Sequence, residues 1–96
     1  MKIKINQKLK DSDDKDIIIG NRPAMTLRDV IVSSILNPAE KETQEQKYEK
    51  YSLFKKLKDA KDEVELKIED IALIKKAIGE IQPPLVLGQC WDLLEK

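Results

Sequence analysis

The sequence predicts a mainly α fold: an N-terminal β-hairpin followed by about four helices in a small compact bundle, within one domain spanning 1–96. Three observations predict it. The chain opens with alternating Lys and Ile at Lys2, Ile3, Lys4 and Ile5, and that period of two suits a strand with one buried face. From Thr26 onward the apolar residues recur three and four positions apart, the spacing of a helix with one buried stripe. Asn37-Pro38 and Pro83-Pro84 then cut the helical stretches from one another.

The hairpin is expected over 1–22, with Asp11–Asp16 as its polar turn and Ile17–Ile19 as its returning strand before Gly20. Two strands are not stable alone, so the hairpin must lie on the helices or pair with another chain. The four aspartates Asp11, Asp13, Asp14 and Asp16 suggest calcium, but the chemistry does not follow. Counting from Asp11, the fifth, sixth and twelfth places hold Lys15, Asp16 and Arg22. An EF-hand loop needs an oxygen ligand, a glycine and a bidentate glutamate there. A solvated turn is the expectation.

The first helix is placed at 26–36. Thr26 is its N-cap, Asp29 reaches back as a capping box, and Leu27, Val30, Ile31, Ile35 and Leu36 form the stripe. Asn37-Pro38-Ala39-Glu40 reads as a restart, giving a helix over 38–61 whose first part, 39–47, carries no large apolar residue. That part is either a solvated helical arm or a mobile linker. Tyr48, Tyr51, Leu53, Phe54 and Leu57 resume the apolar spacing, with the two tyrosines read as core anchors ahead of base-stacking platforms.

Val64–Leu94 holds the densest apolar pattern, two of the four prolines, the only Trp and the only Cys. It divides into an extended lead-in at Val64–Leu66, a helix over 68–81 and a terminal helix over 85–95. The helix over 68–81 carries apolar residues on more than one face, so it is expected to touch neighbours on two sides. Glu69 and Asp70 in its first turn and Lys75 and Lys76 toward its end complement the helix dipole. In the terminal helix Leu87, Cys90, Trp91 and Leu94 share a face while Val86 and Leu93 lie off it. Two readings stand: both faces are buried within one domain, or the face with Trp91 docks a second subunit or partner.

The composition narrows the function. Eighteen basic residues balance eighteen acidic ones, only two of the basic residues are Arg, and there is no His. A neutral chain lacks the field that draws proteins to nucleic acid or anionic membrane. Without His, Ser33 and Ser34 have no near-neutral base, and zinc loses its usual nitrogen ligand. The three glycines are isolated, so no phosphate loop exists, and Cys90 sits in an apolar run as an inert thiol. No catalytic residue, metal site or cofactor is expected. A single Cys and the lack of a signal peptide or a spanning stretch suit a soluble protein of the cytoplasm.

The stretches KLKDSDDKDI, PAMTLRDVIVSSIL and VELKIEDIALIKKAIGEIQPPLVLGQCWDLLE resemble small proteins encoded by tailed bacteriophages and prophages. The resemblance covers most of the chain outside 39–47. Lys67 departs from it in standing where a capping Ser or Thr would precede the acidic first turn. It implies an origin in a bacterial host cell and no activity.

The expectation is therefore a non-enzymatic phage or prophage protein acting through protein–protein contacts, by self-assembly, as a virion assembly factor or as an inhibitor of a host protein. Leu87, Trp91 and Leu94 are the expected contact residues, with Tyr48 and Tyr51 beside them and the arm at 40–47 as a second surface. The alternative is a small DNA-binding transcriptional regulator that tracks phosphates with Lys2, Lys4, Lys8 and Lys10.

Overall fold

The alternation at Ile3 and the period of three and four after Thr26 are each realised in the computed structural model, which describes residues 1–37 and 41–95. The elements run β1 (Lys2–Lys4), α1 (Leu27–Leu36), α2 (Gln44–Asp59), β2 (Glu63–Glu65), α3 (Ile68–Ile81) and α4 (Pro84–Leu94). The described residues are mainly α, with an N-terminal β element and four helices. Their radius of gyration, 13.0 Å, is that of a compact domain of this length.

The N-terminal hairpin is present in reduced form. Lys10 and Asp16 face each other antiparallel across the aspartate turn, flanked by hydrogen bonds from Asp11 N to Lys15 O and from Ile17 N to Leu9 O. Asp11 closes the turn by accepting from the amides of Asp13 and Lys15, and Asp14 sits at φ +61°. The two-stranded ladder runs elsewhere. β1 pairs antiparallel with β2, in the register Lys2↔Glu65, Ile3↔Val64 and Lys4↔Glu63. Ile3 and Val64 are buried between two pairs of opposite charges. The expected returning strand Ile17–Ile19 is corrected accordingly: Ile18 and Ile19 are exposed, and only Ile17 packs toward the core.

Thr26 caps α1 as its sequence predicts. Its hydroxyl accepts from Asp29 N, and the Asp29 carboxylate accepts from Thr26 N. The buried stripe is Leu27, Val30, Ile31, Ser34 and Ile35. Leu36, expected in that stripe, is exposed, and Ser34 takes the inward place with a hydrogen bond from Gln82 Nε2. Ser33 bonds back to Val30 O.

Asn37, expected to restart a helix, is the C-cap of α1. It donates its side-chain amide to Ser33 O. The expected span 38–61 shortens to Gln44–Asp59, where Thr43 and Gln46 form the capping box; Pro38, Ala39 and Glu40 lie outside the described residues. Lys50, Leu53 and Leu57 point inward, with Lys50 buried in an ion pair with Glu42. Tyr48 and Tyr51 are not core anchors. At about 100° per residue they lie roughly 140° and 160° around the helix from Leu53, and both are exposed.

Lys67 supplies no side-chain cap to α3, whose N-terminus is held by Asp70 accepting from Lys67 N. α1 packs between α2 and α3, and α4 packs on α3, so α3 meets neighbours on two sides as expected. Pro84 takes the first position of α4 after the proline break. Ile5, Leu9, Leu27, Ile31, Leu57, Ile74 and Ile78 meet in one core.

Candidate interaction surfaces

The two outer helices carry the residues that the sequence singles out for contact. On α4, Leu94 and Cys90 are turned inward and closed to any partner of the folded chain. Leu87 is half-buried. Trp91 lies between the two readings of its helix: it packs on α3 and keeps 36% of its surface open. Its indole N–H donates to Lys75 O at 3.3 Å, and the Lys75 ammonium sits 5.3 Å from the ring centroid while pairing with Glu95. The ring also lies over Gly79. Trp91 is thus anchored at one edge and presented at the other.

On α2, Tyr48 and Tyr51 stand one turn apart with ring centroids 6.2 Å from each other. They are 69% and 49% exposed, and the Lys55 ammonium lies 5.7 Å from the Tyr51 ring. Three of the four aromatic residues are therefore on the surface, and only Phe54 packs against the core.

The four lysines that a DNA-binding hairpin would need stand among three acids. Lys2 and Lys4 are opposite Glu65 and Glu63 in the ladder, and Lys8 and Lys10 both pair with Asp16. The hydrogen bond from Lys10, aided by both lysine charges, holds the Asp16 carboxyl below its usual range. Cys90 is fully buried, and burial pushes its thiol up to about 11, which leaves it protonated at neutral pH. Among the described residues no helix is long and apolar enough to cross a membrane.

A third feature had no signal in the sequence. Arg28, on the first turn of α1, donates from Nη2 to Ala60 O at 2.5 Å and to Lys61 O, so a cation closes the C-terminus of α2. Beside it opens a groove of about 680 Å³ between the segment 19–26, α1 and α2. Arg22 and Lys58 stand at this groove too, so both arginines of the chain meet in one place. These residues lie up to 36 positions apart, and only the fold joins them.

No family model, curated protein or solved structure matches this chain.

Proposed function

We propose that the chain is a non-enzymatic phage or prophage protein that works through protein–protein contact, in self-assembly, virion assembly or the blocking of a host protein. One observation supports this reading above the rest. A chain with four aromatic residues leaves Tyr48, Tyr51 and Trp91 open on its two outer helices. Aromatic side chains bury the most apolar area per residue and dominate contact energies, so a small domain short of them gains most by placing them inside. Three on the surface make sense where a partner covers them.

A small DNA-binding regulator is the weaker reading. Its phosphate-tracking lysines Lys2, Lys4, Lys8 and Lys10 stand among three carboxylates, Glu65, Glu63 and Asp16, which offset most of their charge locally.

The test is the solution mass by light scattering, across a tenfold dilution and two salt concentrations, for the natural chain and for Tyr48→Ser/Tyr51→Ser and Trp91→Ala. A salt-insensitive dimer or larger assembly that either variant converts to folded monomer supports self-assembly. If the natural chain is monomeric, pull-downs from infected cells with the same variants decide. Loss of a captured host or virion protein on substitution supports the reading, and capture that ignores all three aromatics refutes it.

A further inference from the structure

We infer that the groove between α1 and α2 is a docking site for an acidic segment of a partner protein, one that carries apolar side chains among its carboxylates. The inference rests on the reading that the chain works by protein contact, and it uses a surface separate from the three exposed aromatics.

Charge carries the first half of it. Among the described residues, Arg22, Arg28 and Lys58 line the groove against one carboxylate, Asp29, and Asp29 is already engaged in capping α1 through Thr26 N. Three cations against one acid leave an excess of two positive charges here, in a chain whose net charge is zero. Arg22 and Lys58 have no ion pair among the described residues, and both are exposed. Arg28 adds its charge while its Nη2 stays on Ala60 O and Lys61 O and its Nε stays buried, so the exposed Arg22 guanidinium is the one that offers its donors. Guanidinium groups bind carboxylates through paired N–H donors, so a partner acid finds its complement at this site.

The lining carries the second half. Between the cations lie Met25, Val32 and Phe54, each half-buried and packed on the core. That apolar floor suits an aliphatic or aromatic side chain, which gains by leaving water there. It suits a polynucleotide less, because the groove holds no exposed aromatic face on which a base would stack.

The experiment titrates the ¹⁵N-labelled full chain with a short synthetic peptide in which glutamates alternate with leucine and phenylalanine. The same peptide with glutamine for glutamate and an oligo(dT) strand serve as competitors of other chemistry. The expected result is a set of amide shifts at Arg28, Asp29, Val32, Ser33 and Phe54 that saturates with the glutamate peptide and weakens with salt. Arg22→Glu/Lys58→Glu should reduce the affinity by about tenfold or more, with the circular dichroism spectrum unchanged because both side chains are exposed. The inference is overturned if the glutamate peptide does not bind, if its shifts fall outside the groove, if charge reversal leaves its affinity unchanged, or if the glutamine peptide or oligo(dT) binds as tightly. Since Tyr48, Tyr51 and Trp91 lie outside the groove, such a failure leaves the solution-mass test of the aromatics standing.

Discussion

Gln89 and Lys10 exchange two hydrogen bonds although 79 positions separate them: Lys10 N donates to Gln89 Oε1 at 2.8 Å, and Gln89 Nε2 donates to Lys10 O at 2.7 Å. The side-chain amide of α4 imitates a neighbouring strand. It satisfies the two backbone groups of Lys10 that point away from Asp16 at the mouth of the aspartate turn. The terminal helix is thereby tied to the N-terminal segment as well as to α3.

Replacing Gln89 with Leu removes both bonds and keeps the helix. Because the pair is exposed, water takes over part of the role, and the cost should be about 1 kcal/mol. A urea titration reads this as a lower midpoint at constant slope. Faster hydrogen exchange at the Lys10 amide should accompany it. An unchanged midpoint together with an unchanged Lys10 amide would mean that the pair holds nothing in solution.

The helix starts offer a comparison within one chain. Thr26 and Thr43 each complete a capping box, while Lys67 gives α3 no side-chain acceptor. Thr26→Ala should therefore cost about 1 kcal/mol. Lys67→Ser supplies the missing acceptor at an exposed position and should stabilise the fold by several tenths of a kcal/mol, up to about 1. It also removes a cation from the positive end of the helix dipole, which acts in the same direction. Thermal melts of the two variants beside the natural chain check both signs, and a lower melting temperature for Lys67→Ser would contradict the account.

Signals confined to a few neighbouring residues were legible in the sequence. The capping box at Thr26, the span of α3 and the proline break before α4 all rest on local chemistry, and the structure repeats them. One local signal was overridden: the Thr43-to-Gln46 capping box is written in the sequence, but Asn37-Pro38 upstream looked like the earlier start. Tyr48 and Tyr51 share the three- and four-residue spacing of Leu53, Phe54 and Leu57, and only tertiary packing, which buries Leu53 and Leu57, sets the inward face of α2. The partner of β1 was not legible at all. Three-residue strands joined by no turn carry no periodicity that points at one another, and Val64 is 61 positions from Ile3. The groove is hidden for the same reason, since Arg22, Arg28 and Lys58 come from three segments.

Cys90 is where burial makes a chemical prediction. Its side chain is fully enclosed, and desolvation disfavours the thiolate, holding the thiol near 11 against about 8.5 for a solvated one. A disulfide reagent at pH 8 should therefore label the native chain slowly, at the rate of local opening, and the urea-unfolded chain at once. The pH dependence follows with a fixed sign. Above about 8.5 the unfolded thiol loses its proton while the folded one keeps it, so the unfolded state gains relative to the native state. Stability contributed by the protonated thiol is complete below that pH and is lost as the pH climbs toward 11. Lysines and tyrosines titrate in the same range, so the measurement is the difference between the natural chain and Cys90→Ala across pH 8 to 11. The natural chain should lose stability more steeply than the variant. Parallel curves, or native labelling as fast as unfolded labelling, would place Cys90 in contact with water and remove it from the core.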